Sequence, residues 1–524
     1  MEIINLVDTT HSATIKQHTK IIFNKFIECR LMIIDNPGDD REVNETEECE
    51  REHFKEELTI IGFLARINPE HSMQSLSHLL DEKILLLCTR LGQLQPDSSF
   101  NESISNNMSG IFDNLHWILM IAGHVLCMDC LGEYPLIPKE IYTYSIEQVA
   151  SGQIDTQSSL DCLMKATELT VNPIENPAVK CDLVIRIITS VIRLCEIENK
   201  SISSGMLMYW SPLMSSTLMW FCGMWSTSYA FLNLTHYQEI SPIYKEILGA
   251  ENGIGSKLIM DYILGKICFN MHQYHTELDV VDQSIKLFLD IVNIRNQRLK
   301  YVIELDNFQS IMRIKDVQLD SKIKKSVYKG LVLAANAFKE PDQKYACLNH
   351  ILAPINLNFQ GLKQLLSETG TSCYQNTDVR MKVLGMLDEI SGVASGANIT
   401  NIEYIFGEFQ GIFQHLSQIM GLYHNYIDIT NASLRILIEL AAVSMAGTIS
   451  PEINREFYSY CFDCFRVYFQ HNQTRIEKDF LDDEEDSPDD IGLIIELLKK
   501  LTLNYMLQPN GELQDDRHLM ELMY

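Results

Sequence analysis

Two cysteine pairs carry a spacing that metal chemistry uses, Cys127 with Cys130 and Cys461 with Cys464. Thiolates three apart on a turn can share one tetrahedral zinc ion. Here Cys130 and Cys461 stand 331 positions apart. Both pairs lie in or at the end of helical patterns, where cysteine acts as a small buried hydrophobe. The fifteen histidines form no His-Glu-x-x-His pair, and no Gly-x-Ser-x-Gly elbow is present. His116 and His124 fall on one helix and read as core or groove residues. The run Leu248 to Lys257 resembles a phosphate loop until the spacing is checked: Ile254 stands where the second glycine belongs, and Lys257 follows Ser256 instead of preceding it. It reads as a loop leading into a helix from Lys257. The expectation is a protein with no catalytic residue, no metal and no cofactor.

Charge offers two further candidate sites, both for partners. Asp39, Asp40, Glu42, Glu45, Glu47, Glu48, Glu50 and Glu52 form an acidic run relieved only by Arg41 and Arg51. It either docks a basic partner or is a solvated loop. Arg313, Lys315, Lys322, Lys324, Lys325 and Lys329 form a basic cluster, either a contact surface or local neutralisation. The whole chain carries a net charge of −28. Such a surface repels nucleic acid and anionic membranes and steers basic proteins over about 8 Å in physiological salt.

The elements that must position these residues are helices throughout. Phe112, Leu115, Leu119, Ala122 and Leu126 step by threes and fours along one stripe. Leu434, Leu437, Ile438, Ala441 and Met445 repeat the pattern, as do Ile491, Ile494, Ile495, Leu498 and Leu501. Ser487, Pro488, Asp489 and Asp490 suit the start of that last helix as cap, first-turn proline and dipole-facing carboxylates. Helices recur at about 20 to 25 residues, so a pair takes roughly 40 to 47, the period of HEAT repeats. A chain of 524 residues exceeds one compact core, and its 46% apolar content is that of a folded protein. The predicted fold is all-α, a right-handed α-solenoid superhelix of about nine or ten antiparallel HEAT-type pairs running over residues 1–524. An acidic loop at 39–57, a polar loop at 95–110 and an acidic linker at 479–490 interrupt it. A string of unrelated helical bundles is the alternative.

From Ser201 to Gln238 no residue is charged, and Leu213 to Leu234 is rich in Met, Leu, Phe and Trp. A spanning helix needs about 20 apolar residues. Ser211, Pro212, Ser215, Ser216, Thr217, Ser226, Thr227 and Ser228 break the run, and no Lys or Arg cluster flanks it. It reads as a helix buried in protein, with no membrane partner. Fourteen scattered cysteines and no recognisable signal peptide point to reduced thiols in the cytosol or nucleus.

Several of these segments recur in one family in the same order. Asn114-Leu115-His116-Trp117-Ile118-Leu119, then Gly132-Glu133-Tyr134-Pro135-Leu136-Ile137-Pro138, is similar to a helix end and turn of exportin-4 receptors. Val184-Ile185-Arg186, Ser211-Pro212 with Trp220-Phe221, Leu352-Ala353-Pro354 and Leu387-Asp388-Glu389-Ile390-Ser391-Gly392 extend the likeness, and Ile494-Ile495-Glu496-Leu497-Leu498 carries it nearly to the end. Upstream, the stretch from Glu52-His53-Phe54 to Glu70-His71 also resembles the family.

The resemblance implies a karyopherin-β of the export class that binds protein cargo together with the GTPase Ran in its GTP form. GTP then enters only indirectly, through Ran. Other implied partners are nucleoporins and cargoes such as the hypusine-containing translation factor and Smad-type proteins, with import of some Sox-type factors. The receptor would shuttle between nucleus and cytoplasm. Full-length members are roughly twice this long, as a superhelix of many stacked units requires. The resemblance therefore places the repeats that contribute heavily to Ran binding outside these residues, so cargo affinity is expected here without coupling to Ran. The uncharged stretch from Ser201 departs from the family, which carries several basic residues there. The rival readings are a helical-repeat scaffold or adaptor that needs no GTPase and, within transport, exportin-7.

Overall fold

The computed structural model describes residues 9–35, 50–93, 102–128, 135–169, 180–251, 253–293, 298–317, 319–369, 374–444, 449–479 and 489–506. Among these residues the secondary structure is helical, apart from one isolated bridge between Leu232 and Gly249. The chain divides into two compact units, Met1–Ile291 with Asn296–Val317 and Val292–Arg295 with Gln318–Tyr524.

The first unit opens with α1 (Thr9–Asp35), α2 (Glu50–His53), α3 (Lys55–Arg66), α4 (Pro69–Leu91) and α5 (Glu102–Leu126). It continues through α6 (Lys139–Ala150), α7 (Thr156–Met164), α8 (Leu183–Ser203), α9 (Pro212–Tyr229), α10 (Pro242–Leu248) and α11 (Ile254–Gln273). Then come α12 (Leu278–Val292), α13 (Leu299–Val302) and α14 (Phe308–Met312). Helices α3, α5 and α9 pack side by side in one row, and α4, α8, α11 and α14 form a second. The short helices α6, α7 and α10 are insertions between row members.

Side-chain caps explain where several helices begin. Asp182 accepts from the amides of Val184 and Ile185 at the head of α8, and Ser211 accepts from Met214 at the head of α9, with Pro212 in the first turn. The predicted α5 stripe is buried at all five positions. The uncharged stretch becomes the end of α8, all of α9 and the segment after it, and α9 is largely buried. No helix among the described residues is long and apolar enough to cross a membrane.

The second unit contains α15 (Ser321–Ala335), α16 (Pro341–Thr369), α17 (Thr377–Gly396), α18 (Ile402–Leu422), α19 (Ile427–Ser444), α20 (Pro451–Asp479) and α21 (Asp489–Met506). Here alternation is complete. Helices α15, α17, α19 and α21 form one row in sequence order, and α16, α18 and α20 form the other. Members of the first row begin 50 to 62 positions apart, a longer interval than 40 to 47, because α16 and α20 each run 29 residues.

Three local expectations change. Glu50 to Glu57, assigned to the acidic loop, is mostly helix, as α2 and the start of α3. The polar loop ends by Glu102, where α5 begins, although Ser and Asn dominate its first turns. In α21 the buried face is Ile494, Leu497 and Leu501, while Ile495 is 61% exposed. Steps of three and four from Ile494 select Leu497 and Leu501, and Ile495 turns away from α19. Ser487 and Pro488 lie outside the described residues. Asp490 at the head of α21 is buried and accepts from Tyr468 Oη at 2.8 Å and from the amide of Ile491.

Candidate partner-binding surfaces

Of the acidic run, Asp39, Asp40, Glu42, Glu45, Glu47 and Glu48 lie outside the described residues. Glu50 and Glu52 lie on α2, both exposed. Glu50 is also used internally: its Oε2 stands 3.2 Å from Nε2 of the buried His116, whose Nδ1 meets Thr217 Oγ1 at 2.6 Å. Arg51 donates to Ser216 Oγ at 2.9 Å and Thr217 Oγ1 at 3.3 Å. The hydroxyls that break the apolar run of α9 are therefore the groups that fasten α2 to it. Beside them, the Arg30 guanidinium lies over Phe54 at 4.4 Å and Trp117 at 4.5 Å while pairing with Glu57 at 2.7 Å.

The basic cluster is spread over both units. Arg313 is exposed and Lys315 half-buried in the first; Lys322 is exposed and Lys324, Lys325 and Lys329 are half-buried on α15 in the second. Lys324 pairs with Glu389 of α17 at 3.5 Å. Burial holds the Lys325 ammonium below its ordinary range, against the field of Glu439. Burial likewise lifts the carboxyls of Asp388 and Glu389, partly offset by Ser321 and Lys325 at the first and by Lys324 at the second. Lysines of α15, carboxylates of α17 and the Arg435 and Glu439 side chains of α19 thus share a cross-helix band of mixed charge. Gly392 and Gly396 make it possible: a Cβ at Gly392 would fall 2.2 Å from the Lys325 carbonyl oxygen, and one at Gly396 would fall 2.7 Å from that of Lys329. The Leu387 to Gly392 motif supplies both the carboxylates and the close approach.

In the first unit the charges are driest where α8, α9 and α11 meet. Lys266 and Glu198, 1% and 0% exposed, pair at 2.9 Å. Lys266 also donates to Asn199 at 2.7 Å, and Ser215 and Tyr274 donate to Glu198. Every partner belongs to the same fold, so this network is structural.

The thiols follow the packing. Cys461 and Cys464 are buried on α20, and burial pushes Cys464 up to about 12 and Cys461 well above its usual range. Such thiols hold their protons, as small buried side chains of a helix core do. Cys127 is buried and likewise pushed up to about 12 by burial, while Cys130 lies outside the described residues.

A cleft that sequence reading did not pick out lies in the first unit, with a volume of about 660 Å³. Its walls come from the Pro135–Leu136 turn, residues 231–237, the end of α10 with Gly249 to Glu251, and Arg298 to Tyr301. The loop that imitates a phosphate site is thus one wall. Its glycines answer crowding, since a Cβ at Gly249 would fall 2.4 Å from the Lys245 carbonyl and one at Gly253 would fall 2.3 Å from that of Gly249. Helix α11 starts at Ile254, three residues before Lys257.

Among the described residues, Phe231 is the non-glycine with a positive φ, 49°. A bulky residue there costs about 1–3 kcal/mol and persists only where its surroundings impose it. Phe231 donates its amide to Ser256 at 2.8 Å and stacks on Tyr301 at 5.2 Å, and the next residue forms the bridge to Gly249. Tyr237 Oη accepts from the Ile137 amide at 3.0 Å, tying the turn to the same wall. The signals available in the sequence were the turn motif and the glycine cluster, separated by more than a hundred residues.

A family model described as Exportin-4 matches residues 4–482. Exportin-4 of Dictyostelium discoideum is 24% identical over 367 residues, covering 70% of this chain and 28% of that protein. The chain thus aligns with well under two thirds of that relative's length.

Proposed function

The chain belongs to the exportin-4 family, and from that membership we propose that it is a protein-binding segment of a nuclear export receptor. In the complete receptor this segment binds protein cargo together with Ran in its GTP form and carries it from nucleus to cytoplasm. The observation that carries the reading is the family match, which covers residues 4–482 and so takes in row helices of both units. Row helices stack chiefly on their neighbours, so small rotations add along each row and alter the surface it presents. If Ran and cargo favour the same arrangement, each raises the other's affinity by an equal factor, typically about 5- to 150-fold.

The charge of −28 suits basic cargo such as the hypusine-containing translation factor, with Smad-type proteins as further candidates. The acidic run from Asp39 to Glu52 and the exposed Arg313 and Lys322 are proposed contacts for partners, among them nucleoporins. GTP enters through Ran alone, and the receptor shuttles between the two compartments. The rival is a scaffold indifferent to any GTPase. A pull-down on immobilised Ran, using a receptor of full family length that contains these residues, separates them. Preferential capture on the GTP form is the expected result; equal capture on both forms favours the scaffold.

A further inference from the structure

The cleft between the Pro135–Leu136 turn and the Arg298–Tyr301 segment carries a charge opposite to that of the chain. We propose that it is a binding site for a short, extended acidic peptide segment of a partner protein, one that interleaves carboxylates with aliphatic side chains.

Four observations carry this. First, the chain has 70 acidic and 42 basic residues, yet Lys245, His236, Arg298 and Lys300 line the cleft against one acid, Glu251. Second, the lysines are available. Lys245 and Lys300 are exposed and make no ion pair among the described residues, and the Lys300 ammonium lies 4.7 Å from the centre of the Tyr301 ring. Arg298 is anchored instead, donating to the carbonyls of Ser226 at 2.9 Å and Thr227 at 2.7 Å, so the wall that presents Lys300 is held to the end of α9. Third, apart from Asn233 and Thr235 the rest of the lining is apolar or aromatic, including Leu136 at 41% exposure, with Leu234 and Tyr301. A purely ionic ligand would leave that surface uncovered. Fourth, one wall of the cleft is fixed around a strained residue: Phe231 keeps its left-handed backbone through Ser256, Tyr301 and the bridge at Gly249. A volume of about 660 Å³ lies within the range of ordinary ligand sites.

The partner segment must be short. Beyond the cleft the surface is acidic overall, so a long acidic tract or a nucleic acid is repelled within a Debye length of leaving it. A peptide of a few residues meets the lysines at the rim and places its aliphatic side chains against Leu136 and Tyr301. This site is independent of Ran and of basic cargo, and its test involves neither.

The test uses the full chain and a fluorescein-labelled peptide Asp-Glu-Leu-Asp-Glu-Leu, read by anisotropy at low and physiological salt. Two comparison peptides replace every carboxylate by lysine or every leucine by serine. The expected order at the cleft is acidic-leucine first and acidic-serine weaker, with an unlabelled basic-leucine peptide unable to displace the labelled acidic one. In the double variant Lys245→Glu/Lys300→Glu the acidic peptide should bind at least about tenfold more weakly. The control Lys16→Glu/Lys20→Glu, with the same change of charge at exposed positions of α1, should alter binding less than about twofold. Because all four lysines are exposed, each variant is expected to keep the helical circular dichroism of the parent; Lys300→Gln, which adds no negative charge, should show an intermediate loss. Equal losses in the two double variants would overturn the proposal, as would no loss in the cleft variant. Displacement of the peptide by inorganic phosphate or an RNA hexamer at matched charge would assign the cleft to phosphate instead.

Discussion

The two units stabilise similar helical rows by different means. In the second, rows alternate without interruption and charge sits in a partly wet band, where Lys324 is 28% and Glu389 9% exposed. In the first, α6, α7 and α10 interrupt the alternation, and a charge pair is sealed from water between Lys266 and Glu198. The difference shows what insertions do to a helical-repeat array. They create irregular surface, including the cleft, and they bury polar groups that are satisfied internally, as where Ser145 of α6 and Tyr244 of α10 donate to the buried Asp182.

The largest test of this contrast is Lys266→Met. Removing one partner of a dry pair leaves an uncompensated carboxylate and should cost about 3–5 kcal/mol in urea unfolding of the first unit. The double variant Lys266→Met/Glu198→Leu should recover most of that, because the Ser215 and Tyr274 hydroxyls stand 2.8 Å apart and can bond each other. A double variant as unstable as the single one would mean that the pair is a net stabiliser.

Next comes Gly392→Ala, which places a methyl against the Lys325 carbonyl and should cost about 1–3 kcal/mol by forcing α17 from α15. On the same helix a Cβ at Gly385 meets nothing within 4 Å, so Gly385→Ala should stabilise by about 0.5–1 kcal/mol. Opposite signs for two glycines on one helix, by thermal unfolding, would confirm that row spacing and not helix propensity decides.

A smaller effect concerns pH. The Ser158 amide holds the Asp155 carboxyl below its ordinary range at the head of α7. Its contribution is present above the unfolded carboxylate pKa and is lost as pH falls through the lowered folded value. Asp155→Ala should cost about 1 kcal/mol at neutral pH, and the gap between variant and parent should close in acid. Glu389 in the second unit has the opposite sign. Burial raises its pKa, so its contribution is present at low pH and lost as pH rises through the raised value, and Glu389→Gln should flatten that slope.

The smallest change is expected from Lys324→Met, under about 1 kcal/mol, since solvent screens its pair with Glu389. A loss near that of Lys266→Met would erase the contrast between wet and dry charge.

Helix content was legible because apolar side chains at steps of three and four are a local signal: the stripe at Phe112 to Leu126 is buried, as are Leu434, Leu437, Ile438 and Ala441 of the second, whose Met445 lies outside the described residues. The buried reading of the uncharged stretch also holds at α9, where Ser216 and Thr217 serve Arg51 and His116. What local pattern could not convey was pairing at a distance. Nothing near Lys324 in sequence announces Glu389, and nothing near Tyr301 announces Phe231. The cleft is assembled from four separated segments, so no window of the chain contains its charge balance. Ile495 failed for a related reason: two adjacent isoleucines point to different sides of α21, and only the position of α19 decides which is covered.

The most direct test of the export reading is cargo affinity measured twice, with Ran loaded with GTP and with GDP, on a receptor of full family length that contains these residues. The cargo to use is the proposed one, the hypusine-containing translation factor. GTP-loaded Ran is expected to tighten cargo binding by about 5- to 150-fold, with cargo tightening Ran by the same factor. Identical cargo affinity in the two nucleotide states would contradict it.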